Sequence, residues 1–263
     1  MTNKQINGSA GLLNVNDGGA GGLPVVFVHS FAGDATHWTA QLEHLRKTRR
    51  AVAFDLRGHG QSEASAQEDY AIESLAEDIK AVADGLEIEQ FVLVGHSIGG
   101  ATALEFAGKH PQRVAGLILV GAPGKIPPEQ AQQIINALET DYEKTMDDYW
   151  QQLLNGAQPS VLKILTEGRR KMPQDRSMSL IKAVFEYDPS PALGNYQGQK
   201  LFVTSPNDDQ PYALHNLVPD VPHETISGTS HWLQMDKPEE FNRILDEFLR
   251  SVETRQSQAA GTK

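Results

Sequence analysis

A serine within a Gly-x-Ser-x-Gly pattern, at residues 95–99, is the residue of this chain best placed to do chemistry. A hydroxyl is a poor nucleophile at neutral pH, so Ser97 needs a histidine as its base and a carboxylate that orients this histidine. His231 lies in a loop of small residues late in the chain, and Asp208 and Asp209 lie between the two in sequence. The order nucleophile, acid, base therefore fits either aspartate.

Attack by a serine on a carbonyl develops negative charge on the carbonyl oxygen, and this charge requires N–H donors aimed at it. The backbone N–H of Ile98 is one candidate, because it directly follows Ser97 at the start of a predicted helix. The backbone N–H of Phe31, in the loop after an apolar run at residues 24–29, is the second. These two groups form the predicted oxyanion hole.

The elements that must position these residues alternate between buried strands and helices. Continuous apolar runs predict strands, and apolar residues at helical spacing predict the helices between them. This alternation indicates an α/β fold whose mostly parallel sheet is doubly wound, with helices on both faces. Short edge strands are also expected within residues 1–22. The buried strands are predicted at residues 24–29, 50–55, 91–95, 114–120, 200–204 and 223–227.

The strand pattern stops after Pro123 and resumes only at Lys200. Amphipathic helical pieces separated by proline and glycine fill the interval, which predicts an all-helical cap, or lid, over residues 124–194. The α/β core then comprises residues 1–123 and 195–253, and the alternative is that these helices belong to a larger core. Residues 254–263 are polar and small, so a disordered tail is expected there.

Composition excludes several classes of function. With 263 residues, a net charge of −11 and no cluster of Lys or Arg, the chain is not expected to bind nucleic acid. It contains no cysteine, which excludes disulfides, thiolate catalysis and Cys-based metal sites. No apolar run approaches the roughly 18 residues of a membrane span, and the N-terminus lacks the apolar region of a signal peptide. A cytoplasmic location is the resulting expectation.

Four short motifs follow one another along the chain. They are HSFAG at residues 29–33, DLRGHGQS at residues 55–62, GHSIG at residues 95–99, and GTSH at residues 228–231 with KPEEF at residues 237–241. In this order, and over about residues 12–252, they resemble the α/β-hydrolase superfamily, specifically its members with a serine nucleophile and a helical lid. HSFAG stands in the place of the family's His-Gly oxyanion loop, and DLRGHGQS is similar to its Asp-x-Arg-Gly-x-Gly-x-Ser turn.

The resemblance implies which aspartate is the acid and marks two departures from the family, at Ser30 and Ser205. The family's acid commonly lies three residues beyond a glycine that ends a strand, and Ser205 stands in that place, which favours Asp208 over Asp209. Ser30 replaces the usual glycine beside the oxyanion residue. Its hydroxyl could point into the site or satisfy a local backbone group, and the sequence leaves both open. The serine nucleophile separates the chain from haloalkane dehalogenases and epoxide hydrolases, which use an aspartate.

The implied activity is that of a carboxylic-ester hydrolase with small to medium acyl groups, working through an acyl-enzyme without a metal or an organic cofactor. Its expected partner is a small-molecule ester, and the oligomeric state is left open. Lactone hydrolysis, carbon–carbon bond hydrolysis and perhydrolysis on the same residues are alternatives. A slowly hydrolysing ligand sensor that binds a partner protein is an alternative of another class. Three tryptophans are candidates to line the substrate pocket, although ordinary packing explains each equally well: Trp38, Trp150 and Trp232.

Overall fold

The computed structural model describes residues 2–261 and contains an eight-stranded sheet with helices on both faces. The strands are β1 (Thr2–Asn7), β2 (Leu12–Gly18), β3 (Val25–Val28), β4 (Ala51–Phe54), β5 (Phe91–His96), β6 (Val114–Val120), β7 (Gln199–Thr204) and β8 (His223–Thr225). The helices are α1 (Thr39–Leu45), α2 (Ile72–Gly85), α3 (Ile98–Lys109), α4 (Pro128–Thr140), α5 (Tyr142–Leu154), α6 (Pro159–Lys171), α7 (Gln174–Glu186), α8 (Ser190–Asn195), α9 (Leu214–Leu217), α10 (Leu233–Asp236) and α11 (Pro238–Gly261).

The strand order is β1-β2-β4-β3-β5-β6-β7-β8. The pairs β1–β2 and β2–β4 are antiparallel, and the remaining neighbours are parallel. The mostly parallel, doubly wound sheet predicted from the sequence is therefore confirmed. The short strands expected within residues 1–22 are β1, which is the edge strand, and β2, which lies between β1 and β4.

Apolar side chains cover both faces of the sheet. Leu93 of β5 packs in a cluster that includes Leu75 of α2 and Leu104 of α3. Its neighbour Val94 packs in a second cluster, which includes Leu245 of α11 and residues of α1. Successive residues of a strand point to opposite faces, so a strand covered on both sides must be apolar throughout. This is why the central strands are readable in the sequence as continuous apolar runs.

The topology gathers the predicted site residues at one edge of the sheet. Ser97 directly follows β5, residues 205–209 follow β7, and His231 follows β8. The loop that contains Phe31 follows β3. Because the carboxyl ends of parallel strands share one edge, residues far apart in sequence are brought to the same place.

The segment between β6 and β7, called here the helical insertion, contains α4 to α8. Its last helix, α8, packs on α3 of the core so closely that a Cβ atom at Gly108 would lie 2.7 Å from the Cα atom of Ala192. The helical content of residues 124–194 agrees with the sequence pattern. The packing of α8 places the end of this segment against the core.

The expectation of a disordered tail at residues 254–263 is wrong for the described part, because α11 continues to Gly261. The hydroxyls of Thr254 and Ser257 donate to carbonyls one turn earlier, at 2.8 and 2.9 Å. The side chain of Gln256 also donates to Gln90 at 2.9 Å. Small polar residues without an intervening proline continue a helix that is already nucleated, since propagation is far easier than nucleation. Residues 262–263 lie outside the described range.

None of the helices within residues 2–261 is both long and apolar enough to cross a membrane.

Candidate active site

Ser97 lies on a strained turn between β5 and α3. Its backbone angles are φ 55° and ψ −120°, a conformation that is unfavourable for residues other than glycine. The turn is held because the N–H of Ser97 donates to the carbonyl of Val120 at 2.8 Å, while its own carbonyl accepts from Gly100 at 2.8 Å. The half-buried side chain is thereby fixed at the tip of the turn.

Two glycines make this turn possible. A Cβ atom at Gly95 would lie 2.2 Å from the carbonyl oxygen of Gly99, and a Cβ atom at Gly99 would lie 2.3 Å from the carbonyl oxygen of His29. The backbones of β5, α3 and the end of β3 therefore approach more closely than any side chain allows. This approach brings the loop that contains Phe31 next to the start of α3.

His231 pairs with Asp208 in a buried contact. The Nδ1 atom of His231 lies 2.5 Å from Oδ1 of Asp208, and both side chains are at most 7 % exposed. The other carboxylate oxygen of Asp208 accepts from the backbone N–H and the hydroxyl of Ser205, at 2.7 and 3.0 Å. An anionic Asp208 accepts from Nδ1–H, which leaves Nε2 of His231 as a proton acceptor.

Asp209 has different surroundings from its neighbour. Its side chain is 70 % exposed and lies 3.5 Å from Nε2 of His215. It also accepts a hydrogen bond from Asn216 at 2.9 Å. The structure thus brings Asp208, and not Asp209, to His231.

His231 and Ser97 converge at the end of β6. His96, which precedes Ser97, donates from Nε2 to the backbone carbonyl of His231 at 2.9 Å, and the two rings are 4.7 Å apart. A Cβ atom at Gly121 would lie 2.9 Å from Cε1 of His231 and 3.2 Å from Oδ2 of Asp208. Gly121 directly follows Val120, whose carbonyl binds the Ser97 turn. Burial lowers the pKa of His96 well below its usual value, so this histidine stays neutral.

The loop after β3 is oriented by His29. The N–H of Leu56 donates to Nε2 of His29 at 3.0 Å, so Nδ1 must carry the proton, and it donates to the carbonyl of Ser30 at 2.7 Å. The N–H of Gly33 donates to the same carbonyl at 3.1 Å. In a trans peptide the C=O and the next N–H point in opposite directions. These bonds to Ser30 therefore fix the direction of the Phe31 N–H.

The two predicted oxyanion donors are available for a ligand. Within residues 2–261, the N–H groups of Phe31 and Ile98 donate to no protein acceptor. For Ile98 this follows from its position, because the first N–H groups of a helix have no intrahelical partner. Such groups at the start of α3 favour negative charge.

Ser30 uses its hydroxyl in neither of the two ways that the sequence suggested. The oxygen accepts from the indole Nε1 of Trp232 at 2.8 Å, and both residues are only 1 % exposed. Trp232 directly follows His231, so this bond joins the loop after β3 to the loop after β8. A contact between residues 202 positions apart carries no local signal in the sequence.

The three tryptophans separate into two groups. Trp150 and Trp232 lie together, with ring centroids 5.1 Å apart, and the Trp150 ring also lies 6.0 Å from that of Phe31. Trp38 is fully buried in the core, where its ring contacts Phe27 at 4.8 Å. The predicted pocket role of Trp38 is therefore wrong, since it belongs to the apolar layer beneath the sheet.

The comparison with family models decides the family. A model described as alpha/beta hydrolase fold matches residues 24–155, about half of the chain, including Ser97 and the loop after β3. The chain belongs to the α/β-hydrolase fold family. Membership of the α/β-hydrolase superfamily, which the motifs had indicated, is thereby confirmed.

Known proteins of several activities are similar to the chain. The dihydrolipoyllysine-residue acetyltransferase component of the acetoin cleaving system of Pseudomonas putida is 45% identical over 107 residues, which are 41% of this chain but only 29% of that protein. The 2-hydroxy-6-oxo-6-phenylhexa-2,4-dienoate hydrolase of Comamonas testosteroni is 28% identical over 91% of both chains. A solved structure described as Est816, an N-acyl homoserine lactone degrading enzyme, matches with a TM-score of 0.80 and 26% identity, over 93% of this chain and 100% of that one.

In this α/β-hydrolase the helical insertion is bonded to the loop that contains His231. The backbone N–H of His231 donates to the carbonyl of Leu153, at the end of α5, at 2.9 Å. Asp236 accepts from the backbone N–H of Gln158 at 2.7 Å, and its second oxygen accepts from the N–H of Ser230 at 2.8 Å. Asp236 thus joins the residue before His231 to the turn between α5 and α6. Sequence reasoning missed these partners because the carbonyl of Leu153 and the N–H groups of Gln158 and Ser230 are all backbone atoms, which carry no residue-specific signal.

The side chains of residues 3–259 include no group of three or more His, Asp or Glu that could hold a metal ion. The chemistry available at the site is that of Ser97, His231, Asp208 and the backbone N–H groups around them.

Substituting Gly121 with alanine should disturb His231 directly. The new Cβ would contact the imidazole and the Asp208 carboxylate, and at φ +49° it would also destabilise the fold by about 1–2 kcal/mol. We expect the rate at which a fluorophosphonate labels Ser97 to fall more than about tenfold. The control is Gly194→Ala, where nothing lies within 4 Å of the added atom and both quantities should be nearly unchanged. A normal labelling rate in a folded Gly121→Ala protein would contradict this geometry.

Acid should destabilise the protein through three buried histidines beside the loop after β3. Burial lowers the pKa of His29 and of His37 to about 4, and that of His59 to about 3. An unfolded histidine has a pKa of about 6.5, so the unfolded chain binds more protons below that pH. The free energy of unfolding should be nearly constant above about pH 7.5 and fall as the pH approaches 4, with these three groups alone contributing up to about 4 kcal/mol per pH unit. Urea unfolding at pH 7.5 and pH 5 measures this, and equal midpoints would contradict it.

Proposed function

We propose that the protein is a serine hydrolase that cleaves carboxylic esters, lactones included, with small to medium acyl groups. The observation that carries this proposal is the buried pair of His231 and Asp208 beside the strained turn that presents Ser97. Membership of the α/β-hydrolase fold family and the similarity to a lactone-degrading structure support acyl chemistry. The reaction needs no group beyond the side chains and backbone of this chain.

Ser97 acts as the nucleophile in the proposed mechanism. Its Oγ attacks the ester carbonyl while Nε2 of His231 takes the hydroxyl proton. The carboxylate of Asp208 holds the imidazole in the tautomer that accepts at Nε2, and it stabilises the imidazolium that forms. His231 then gives the proton to the leaving alcohol, and an acyl-enzyme remains on Ser97.

The N–H groups of Phe31 and Ile98 stabilise the oxyanion in both halves of the reaction. Water, activated by His231, attacks the acyl-enzyme, and the same two donors bind the second tetrahedral intermediate. Because His29 and Gly33 fix the peptide between Ser30 and Phe31, one donor is oriented before substrate arrives. Preoriented donors need no reorganisation in the transition state.

An apolar cluster beside the base suggests where the acyl group binds. It comprises Ala32 of the loop after β3, Trp232 next to the base, and three residues of the insertion: Trp150, Val161 and Leu165. Its bulky side chains favour a short apolar group over a long lipid chain. In this proposal the insertion is the lid of the site. The cytoplasmic location remains a prediction from the sequence.

Carbon–carbon bond hydrolysis is the second candidate. It is favoured by one observation, the 28% identity with the Comamonas testosteroni hydrolase over 91% of both chains. Cleavage of a carbon–carbon bond next to a carbonyl also transfers an acyl group, from carbon instead of oxygen. Ser97, His231 and the oxyanion donors would therefore serve that reaction equally. The substrate therefore has to distinguish the two candidates.

A substrate panel tests the proposal. We expect turnover of p-nitrophenyl acetate and butyrate and of an acyl homoserine lactone, with little turnover of a vinylogous 1,5-diketone. Ser97→Ala should lower kcat by at least about 10³-fold, because the other groups cannot replace the nucleophile. Turnover of the diketone alone would replace the ester proposal with carbon–carbon bond hydrolysis. Undiminished activity of Ser97→Ala would overturn both.

The adjacent aspartates provide a matched pair of variants. Asp208→Asn should lower kcat by about 10³- to 10⁴-fold, because an amide N–H opposite Nδ1 favours the wrong imidazole tautomer. Asp209→Asn changes an exposed carboxylate away from His231, so kcat should stay within about twofold. Steady-state kinetics on p-nitrophenyl butyrate measures both variants. A larger loss in Asp209→Asn would assign the acid to that residue.

A further inference from the structure

The bond between Ser30 and Trp232 joins the two loops whose relative position matters most in the proposed reaction. Ser30 immediately precedes Phe31, the proposed oxyanion donor, and Trp232 immediately follows His231, the proposed base. The indole N–H donates to the Ser30 hydroxyl at 2.8 Å in an environment without solvent exposure. One side-chain hydrogen bond therefore connects the neighbour of the proposed oxyanion donor to the neighbour of the proposed base.

Ser30 is held at both of its polar groups. Its carbonyl accepts from His29 and Gly33, which fixes the rotation of the peptide that carries the Phe31 N–H. Its hydroxyl accepts a hydrogen bond from Trp232, which fixes the position of that peptide relative to the loop that contains His231. The bonds to the Ser30 carbonyl thus set the rotation of this peptide, and the bond from Trp232 to the Ser30 hydroxyl sets its position.

The Trp232 ring is also confined from other directions. It packs edge-on against His231, with ring centroids 5.2 Å apart, and at a tilt of 57° against Trp150, with ring centroids 5.1 Å apart. A ring held on these sides transmits the position of Ser30 to the imidazole next to it. Within residues 2–261, the indole N–H groups of Trp38 and Trp150 have no hydrogen-bond partner. The bonded indole is thus the one adjacent to the base.

We propose that the Ser30 hydroxyl is a positioning group that, through Trp232, fixes the distance between the Phe31 oxyanion donor and the base His231. This inference rests on the proposed function. The Phe31 N–H and His231 act in the same step, since the oxyanion forms at the first while the imidazolium forms on the second. An error in their separation weakens transition-state binding more than ground-state binding, so it lowers kcat and leaves KM nearly unchanged.

The bond itself can be observed without any substrate. The three indole N–H groups give three signals in a ¹⁵N–¹H spectrum, and Trp232→Phe identifies the signal of Trp232 by removing it. Ser30→Ala should shift that signal strongly and speed its exchange with solvent, with smaller changes at the other two. An unshifted Trp232 signal would overturn the inference.

A double-mutant cycle tests the role in catalysis. Ser30→Ala should lower kcat on p-nitrophenyl butyrate about tenfold, with KM within about twofold, and Trp232→Phe should lower kcat by a similar factor, because each removes the same buried bond. The double variant should be no slower than the slower single variant. Additive losses, or an unchanged kcat in Ser30→Ala, would overturn the inference.

The control removes a different buried hydroxyl, which lies in the loop that contains His231. Thr229 is 3 % exposed and donates to the carbonyl of Ile226 at 2.7 Å, within its own loop. Thr229→Val should therefore keep kcat within about twofold while lowering the melting temperature about as much as Ser30→Ala. Equal losses of kcat in both variants would show a general effect of loop stability and overturn the positioning role. The outcomes for the Ser30, Trp232 and Thr229 variants leave the proposed function itself intact. That function would be overturned if the wild-type protein showed no turnover that depends on Ser97.

Discussion

The structure depends on a close approach of three backbone segments around Ser97. Strand β5, helix α3 and the end of β3 meet with no room for a Cβ atom at Gly95 or Gly99. That approach forces Ser97 into a left-handed backbone conformation, and a bond to the carbonyl of Val120 keeps it there. Strain of this kind persists only where the surroundings over-determine it. The sheet, whose core strands are buried on both faces, provides this rigidity.

Residues distant in sequence surround this turn because each follows a strand of the same parallel sheet. His231 approaches from the loop after β8 and is bonded through its backbone to His96. Asp208 approaches from the loop after β7, and the absent side chain of Gly121 leaves space for both. The shared edge of the sheet thus sets the common position of the proposed catalytic residues.

The parts of this arrangement that local sequence encodes could be predicted. Continuous apolar runs identified the central strands, and the glycines around Ser97 identified the sharp turn. The preference for Asp208 came from a family pattern, and the structure places that residue, and not Asp209, beside His231. Trp38 could not be assigned, because a tryptophan beside the loop after β3 has the same local sequence whether its ring enters the core or a pocket. The helical tail was missed because small polar residues favour disorder in isolation, whereas here they continue the long helix α11.

The bond between Leu153 and His231 limits how far the helical insertion can be treated as an exchangeable module. An insertion that carries no strand of the sheet is expected to diversify freely over a constant core. Here a carbonyl at the end of α5 binds the backbone of His231, the proposed base. A chimaera that received another protein's insertion would have to reproduce the turn at residues 153–158, because that turn is bonded to the loop that contains His231. Sequence diversification is therefore restricted in this turn.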